Sequence, residues 1–242
     1  AFFVFVLGIV VCINIGKKIS INSKNTFILY CWHSFFSVVY CVYTLSNVAD
    51  AKVYFTRVSY KLVDLGLGSA FIDNFTYLLK EGLGLSYLGC FLVYNILGSI
   101  GLLFFRASLD SIFVRRKGKL YILSWVFCLL PSVSFWSAAI GKDSISFLAT
   151  CLLMWSIIDF SKRKSTTFIA IILMVLVRPH IGAVMIGALA FTSVLNKKIS
   201  HATRLVIGSL SLLCFVVLLP FVLEYTGIGR ENSTLDEFVE HR

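Results

Sequence analysis

Long apolar runs separated by short basic loops dominate the sequence. Hydrophobic residues make up 58% of the 242 residues, charged residues make up only 14%, and the mean hydropathy is +0.89. An ordinary soluble domain carries roughly 25% charged residues, and a helix needs about 20 apolar residues to cross a bilayer core. The pattern predicts an all-α fold, a polytopic transmembrane helix bundle. A cleaved signal peptide does not explain so many apolar runs.

The apolar runs predict about eight spans, some of them short or broken. They cover residues 1–15, 26–46, 84–105, 120–140, 144–160, 166–177, 181–195 and 203–222. With residues 16–25 in the cytoplasm, the basic loops 115–119 and 162–164 also lie inside, as the positive-inside rule requires. An amphipathic loop, 47–83, and a polar tail, 223–242, then lie outside. We expect one transmembrane domain over residues 1–242, and a fragment, since Ala1 is not an initiator Met.

Composition and motifs exclude several classes of function. The net charge of +10 would suit a nucleic-acid-binding protein, but most basic residues lie in loops between apolar runs, so we expect no nucleic-acid partner. The seven cysteines lie in apolar segments without a CxxC pair and are interpreted as small buried hydrophobes. Trp32 and His33 are interpreted as core packing. No HExxH, GxSxG, Walker or Rossmann pattern supports proteolysis, ATP hydrolysis or nicotinamide chemistry.

Arg178 is the costliest residue to place, because it lies in the apolar stretch LMVLVRPHIGAVM. An Arg at the centre of a span costs roughly 2.5–3.5 kcal/mol on translocon scales, and its planar fork matches phosphate oxygens. Pro179 ends the helix, and His180 follows as a group that titrates near neutral pH or caps the turn. Residues 165–196 are interpreted as two short legs that turn here; a single kinked span is the rival. The alternative role for Arg178 is snorkelling or an ion pair.

Lys142 and Asp143 stand side by side between two predicted spans. Gly141 offers a tight turn, and Asp143 or Ser144 can cap the next helix. Lys142 near a helix N-terminus is disfavoured by the helix dipole, and a bound anion would resolve that conflict. The alternative is a Lys142 that lies in the outer headgroups and pairs with Asp143 or a lipid phosphate.

A third group of polar residues follows the second span, in NVADAKVYFTRVSYKL. Asp50, Tyr54 and Arg57 have i, i+4 and i+7 spacing and would share one helix face. A partly desolvated Asp50 at the mouth of a membrane cavity would serve as a general base for a hydroxyl; the alternative is an Asp that caps or ends a helix. Asp64 and Asp73 look like solvated loop charges.

These residues resemble a known family. Asp50-Ala51-Lys52-Val53-Tyr54 is similar to the first outer-loop acidic motif of the lipid-dependent membrane glycosyltransferases called the GT-C class. PSVSFWSAAIGKD, followed by the Arg-Pro-His element at 178–180, looks like membrane proteins of bacterial surface-polysaccharide clusters, which are considered glycosyltransferases or O-antigen-type polymerases. The resemblance reaches from about Asp50 to the tail.

The resemblance implies a GT-C-like fold and sugar transfer from a polyprenyl-phosphate or polyprenyl-pyrophosphate donor to an acceptor hydroxyl. It implies that Asp50 is the catalytic base and that Arg178, Lys142 and His180 bind the phosphate, supported by Asp143, Tyr54 and Arg57. The loop lacks a second acidic motif, so no metal or other cofactor is expected.

The same resemblance implies a location and a set of partners. The location is the bacterial inner membrane, with several spans and a periplasmic active face. The partners are the lipid-linked saccharide, membrane lipids and other polysaccharide-assembly proteins. Two alternatives stay open at this point: a transporter or flippase for an anionic lipid-linked saccharide, and a non-catalytic membrane scaffold.

Overall fold

Helices form the whole regular structure of the described residues, which the computed structural model gives as 1–57, 66–113, 119–195 and 201–226. In chain order the helices are α1 (Phe2–Lys18), α2 (Ser23–Ser46), α3 (Asp50–Arg57), α4 (Ser69–Tyr77), α5 (Tyr87–Phe113), α6 (Lys119–Cys128), α7 (Pro131–Ser137), α8 (Lys142–Ile158), α9 (Lys164–Val177), α10 (Pro179–Leu195) and α11 (His201–Thr226). A π-helical turn, Leu78–Gly82, directly continues α4. The predicted all-α fold is confirmed for this part of the chain.

Two of the helices in the described part are long and apolar enough to cross a membrane. They are α2 and α5, with mean hydropathies of 1.4 and 2.0 over their most apolar windows. Shorter apolar helices lie at Ile122–Ser137, Lys164–Val177 and Pro179–Phe191. The two long helices favour a membrane protein, and the prediction of about eight crossings stays a prediction.

Prolines set two of the helix boundaries. The fourth predicted span is divided, because α6 ends at Cys128 and α7 begins at Pro131. Proline has no backbone N–H to donate, and its fixed φ suits the first helical position. Pro179 begins α10 in the same way, after α9 has ended at Val177. The helix break predicted at residues 178–180 is therefore present.

The chain divides into two compact units, Ala1–Val177 and Arg178–Arg242. The central helix of the first unit is α5, which packs against α1, α2, α6 and α8 and is buried at positions such as Phe91 and Leu102. In the second unit, α10 packs along α11. The predicted polar tail, 223–242, lies outside the described residues from position 227 onward.

Three helices of the first unit begin or end in the same half of the bundle. α2 and α5 run antiparallel, because a hydrogen bond of 2.8 Å joins the hydroxyls of Thr44, near the end of α2, and Tyr87, at the start of α5. α5 and α8 run in the same direction, with Gly101 against Leu148 and the Phe104 ring 5.0 Å from the Trp155 ring. The end of α2 and the start of α5 therefore lie together. α8 begins in the same half of the bundle but deeper, because Leu148, only six residues after Lys142, already lies against Gly101. We call this half the site end of the bundle.

Buried polar side chains tie α2, α5 and α7 to one another. The His33 ring is fully buried; its Nδ1 donates to Asn95 Oδ1 at 2.6 Å, and its Nε2 lies within hydrogen-bond distance of Ser137 Oγ at 2.9 Å. Asn95 Nδ2 in turn donates to Ser34 Oγ at 2.8 Å. A polar group in an apolar interior is costly unless it has a partner. The expectation that His33 serves core packing is thus refined: its ring packs as part of a hydrogen-bonded network.

The far end of α5 holds a second buried polar group. The Arg106 side chain lies 2.8 Å from the Asp110 carboxylate and donates to Ser124 Oγ at 2.7 Å, and its guanidinium carbon lies 4.4 Å from the centre of the Trp125 ring. A charge within an apolar helix needs such partners. The ion pair joins two residues of α5 itself, whereas the contacts of Arg106 with Ser124 and Trp125 stabilise the packing of α6 on α5.

Gly98 allows α5 to approach this network closely. A Cβ atom at this position would collide with the backbone carbonyl oxygen of Ser137 and with the His33 ring. A carbonyl oxygen cannot move without moving α7 itself. The absence of a side chain at position 98 is therefore a packing requirement.

We expect Gly98→Ala to destabilise the protein by about 1–3 kcal/mol through overpacking. The matched control is Gly187→Ala, because a Cβ there meets open space and alanine improves helix propensity by roughly 0.5–1 kcal/mol. Thermal unfolding in detergent, followed by size-exclusion fluorescence, compares the two variants. Equal or higher stability of Gly98→Ala would contradict the close approach of α7.

Candidate functional site

α3 presents three of the predicted site residues on one face. Asp50, Tyr54 and Arg57 lie on the single short helix α3, as the spacing predicted. Tyr54 is buried and packs in the core cluster with Ile72 of α4 and Ile140 of the turn before α8. Asp50 and Arg57 remain exposed at the two ends of the helix. The buried Tyr54 thus fixes the face that carries both charged residues.

Gly141 decides how α8 begins. Its φ of 152° and ψ of −174° place it at the N-cap, in a region that favours glycine. Lys142 and Asp143 are therefore the first two helical residues, and the Ser144 hydroxyl donates to the Gly141 carbonyl at 3.2 Å. The prediction that Asp143 or Ser144 caps the helix is wrong, because the helix begins earlier than that prediction assumed. A Cβ at Gly141 would lie 4.0 Å from the Tyr54 ring, so this turn faces α3.

Two predicted carboxylates interact electrostatically with one tyrosine at the site end. Both Asp50 and Asp143 interact electrostatically with the phenol of Tyr40, near the end of α2. The start of α3 and the start of α8 therefore both lie near this phenol. The expectation that Asp50 is partly desolvated is wrong, since its side chain is exposed. The reason is its position as the first residue of α3, directly after the extended connection from α2.

The interpretation of Asp73 as a solvated loop charge is wrong, because Asp73 is buried in a helix. The residue is only 2% exposed, because the buried face of α4 comprises Ile72, Asp73 and Thr76. Its Oδ2 accepts a hydrogen bond from Arg57 Nη1 at 3.2 Å. Its Oδ1 is also buried and has no hydrogen-bond partner among the described residues. An ionised carboxylate that is half satisfied in this way is unusual.

Burial raises the pKa of the Asp73 carboxyl group above its ordinary value. Desolvation is the largest cause, and the positive charges of Arg57 and Lys142 oppose it without cancelling it. Lys142 therefore lies close enough to Asp73 to interact with it electrostatically. The carboxylate and two predicted site cations form one cluster at the site end, which we call the Asp73 cluster (Arg57, Asp73 and Lys142).

Contacts from the π-helical turn after α4 hold α3 in place. Lys80 Nζ donates to the Phe55 carbonyl at 3.2 Å and lies 4.5 Å from the centre of the Phe55 ring. Lys80 also pairs with Glu81 at 3.7 Å. π-helical turns occur frequently at functional sites. Here the turn anchors the middle of α3, between the exposed Asp50 and Arg57.

An open cleft of ≈ 350 Å³ lies beside α3 but not on its charged face. Its lining includes Lys52 and Thr56, on the opposite side of α3, and Val53, which borders the face of Asp50 and Arg57. In the part of the chain that the structure describes, no group of three or more His, Cys, Asp or Glu side chains could hold a metal ion.

The other residues predicted for the site do not belong to the first unit or are not described. Arg178 and His180 belong to the second unit, where Arg178 directly precedes α10 and its carbonyl accepts from the Gly182 amide at 2.9 Å. Their role in phosphate binding stays a prediction. Asp64 lies outside the described residues.

Asp73 is the site residue that sequence reasoning missed. The signal was present, because Asp73 lies among the apolar residues of SAFIDNFTY, with Ile72 before it and Phe75 two positions later. An acid embedded in an apolar helical stretch is buried more often than an acid in a polar loop. Treating residues 47–83 as one amphipathic loop hid that local pattern.

We expect the stability of the wild-type protein to rise as the pH falls through the Asp73 pKa. The folded state then binds more protons than the unfolded state, so this carboxyl group contributes stability at low pH that is lost as the pH rises through the folded pKa. Asp73→Asn should match or exceed the wild type above the Asp73 pKa and lose that advantage as the pH falls through it. Unfolding midpoints in detergent measure the difference.

The control for this measurement is Glu81→Gln, which removes an acid that is 42% exposed from the neighbouring turn. It should leave the pH dependence of the wild type unchanged. The assignment of a raised pKa would be contradicted if the unfolding midpoint of the wild type decreased at lower pH and Asp73→Asn abolished that decrease.

Comparisons with known proteins found no match for this chain. The chain matches no family model, no curated protein and no solved structure. The resemblance to membrane glycosyltransferases thus rests on the short motifs at Asp50, Lys142 and Arg178, and the geometry at the site end supplies independent observations.

Proposed function

We propose that the chain is a membrane glycosyltransferase or polysaccharide polymerase that uses a polyprenyl-phosphate-linked or polyprenyl-pyrophosphate-linked donor. One observation carries the proposal: acidic and basic side chains from α3, α4 and α8 gather at one end of an apolar helix bundle. Asp50 and Asp143 interact electrostatically with Tyr40 there, and Lys142 interacts electrostatically with Asp73, the partner of Arg57. The proposed setting is the periplasmic face of a bacterial inner membrane.

The proposed reaction is a displacement at the anomeric carbon of the donor sugar. The acceptor hydroxyl oxygen forms a bond to that carbon while the bond from the carbon to the phosphate oxygen breaks. The electron pair leaves with the phosphate, and the hydroxyl proton passes to the Asp50 carboxylate. Asp50 is exposed, which leaves it accessible to an acceptor from the aqueous side. This base role is general acid–base chemistry and is consistent with its position.

Cations at the site end would stabilise the leaving phosphate. Lys142 in the first turn of α8 adds its charge to the backbone N–H groups of a helix N-terminus, which favour anions. Arg57 offers a planar fork that matches phosphate oxygens. In many enzymes, fixed positive groups aimed at a developing negative charge lower the activation barrier more than any other effect. On sequence grounds, Arg178 and His180 are proposed to bind the donor phosphate as well.

An apolar groove supports a lipid-linked donor. It has a volume of ≈ 420 Å³, lies between α1, α2 and α5, and is lined by Phe5, Phe35, Val38, Leu88 and Leu92. Leu88 is the second residue of α5, so the groove approaches the site end. We propose that a prenyl chain in this groove extends towards the site end of the bundle.

We expect Asp50→Asn and Lys142→Ala to abolish or severely reduce polymer formation in cells that express the full-length protein. The loss of one group that stabilises the transition state reduces the rate by roughly 100-fold or more. Gel electrophoresis of the surface polysaccharide, with membrane insertion checked in parallel, is the measurement.

Two control variants at the opposite end of α8 match these changes. Asp159→Asn and Lys162→Ala alter an exposed ion pair of 3.5 Å in which the Lys162 side chain is 82% exposed, and both should leave the polymer normal. If the site variants lose long chains while a single lipid-linked repeat unit accumulates, the protein is a polymerase. If they make no finished repeat unit, it is a transferase. Normal polymer in both site variants would refute the proposed function.

For Arg178 we expect Lys to be a poor substitute. Lys keeps the charge but loses the bidentate fork, so Arg178→Lys should lower polymer formation nearly as far as Arg178→Ala. The same gel assay compares the two variants. Full activity of Arg178→Lys alone would show that Arg178 acts only as a positive charge. Full activity of both Arg178→Lys and Arg178→Ala would show that Arg178 serves only in snorkelling or an ion pair.

A further inference from the structure

We propose that Arg57 and Lys142 form a phosphate-binding site in which the ionised Asp73 carboxylate competes with the bound phosphate. Phosphate binding is then linked to the uptake of a proton by Asp73. The inference rests on the proposed function, and it adds the regulation of the phosphate site and a further residue, Asp73, that positions the cations.

Only one of the two oxygens of the Asp73 carboxylate accepts a hydrogen bond from the described residues. Oδ2 accepts one hydrogen bond from Arg57, whereas the buried Oδ1 accepts none from the described residues. An ionised carboxylate needs several hydrogen bonds when it is removed from water. Geometry alone therefore disfavours the ionised form, and the raised pKa of Asp73 has the same cause.

Arg57 faces both Asp73 and solvent. Its side chain is 52% exposed, and only Nη1 contacts the carboxylate. Its guanidinium carbon lies 6.0 Å from the centre of the Tyr54 ring, which orients the group. The part of the guanidinium fork that does not contact Asp73 is available for a bidentate contact with phosphate oxygens, because the side chain is half exposed.

The charge balance of the Asp73 cluster changes with one proton. Two cations face one carboxylate, so the cluster carries one net positive charge with Asp73 ionised and two with Asp73 protonated. A phosphate that approaches the cations disfavours the Asp73 anion, and by reciprocity a protonated Asp73 strengthens phosphate binding. The Asp73 cluster is thus built to respond to an anion.

The other titratable groups around Asp73 do not replace it in this role. The Tyr94 hydroxyl of α5 bonds with Thr76 at 2.9 Å, and Asp50 lies seven residues from Arg57 along α3, roughly 10 Å away at the helical rise. Asp143 adjoins Lys142 on α8. The sequence of α9, which packs against α4, has no titratable residue between Ser165 and Val177. Asp73 is the buried carboxylate that contacts a cation here.

The test uses two phosphodiesters, whose single negative charge does not change over the pH range studied. Farnesyl methyl phosphate represents a lipid-linked phosphate, and dimethyl phosphate represents a water-soluble one. Isothermal titration calorimetry on the full chain in detergent, in buffers with different heats of ionisation, measures the affinity and the protons taken up. The wild type alone gives the proton count, so the test does not depend on a variant that folds.

For the wild type, we expect farnesyl methyl phosphate to bind with net proton uptake and to bind more tightly as the pH falls from about 8 to 5.5. Asp73→Asn should bind as tightly at the higher pH as the wild type does at the lower pH, without proton uptake. Arg57→Ala should weaken binding roughly tenfold or more at every pH. Glu81→Gln, which removes an exposed acid of the neighbouring turn, should behave as the wild type.

The outcomes separate the inference from the proposed function. Binding without proton uptake, or a pH slope that survives Asp73→Asn, would overturn the inference and leave a phosphate site standing. Failure of the folded wild type to bind either phosphodiester would overturn the proposed donor site as well. Proton-linked binding of only the farnesyl ester supports a lipid-linked phosphate, and equal binding of dimethyl phosphate supports a water-soluble one.

Discussion

The satisfaction of buried polar groups is the constraint on which the first unit depends. α2, α5 and α7 are apolar along most of their length, yet His33, Asn95 and Ser137 bond to one another where the helices meet. In an apolar interior the loss of one partner leaves another group unsatisfied. The network therefore fixes which faces of the helices pack together, and Gly98 supplies the space for it. Arg106 and Asp110 play the same part at the other end of α5.

Asp73 departs from this constraint at the site end; the buried Trp32 Nε1, Ser134 Oγ and Ser146 Oγ also have no hydrogen-bond partner among the described residues. Elsewhere the buried charge of Arg106 has a carboxylate, a hydroxyl and an aromatic ring as partners. The Asp73 carboxylate has one hydrogen bond from a half-exposed arginine and an enclosed oxygen with none among the described residues. Stored electrostatic cost of this kind is typical of functional sites. It gives a physical reason to consider α3, α4 and the start of α8 together.

The sequence predicted some elements of the site well and others poorly, and the reasons are local. Spacing alone placed Asp50, Tyr54 and Arg57 on one helix, because the period of an α-helix is independent of tertiary contacts. The start of α8 was predicted too late, since a serine or aspartate is the usual cap and the positive φ of Gly141 is not readable from the sequence. The exposure of Asp50 and the burial of Asp73 were both misjudged, because burial depends on which neighbouring helices cover a residue.

The sequence by itself determined the helical class, two helices that are long and apolar enough to cross a membrane, and the helix break at Pro179. Each of these follows from composition or from the covalent geometry of proline. Only the tertiary structure decided that Lys142, far from Asp50 in the sequence, lies at the same end of the bundle as α3, and that Asp73 faces inward near both Arg57 and Lys142. Such proximity depends on how α2, α5 and α8 pack, and packing joins residues that no sequence spacing relates.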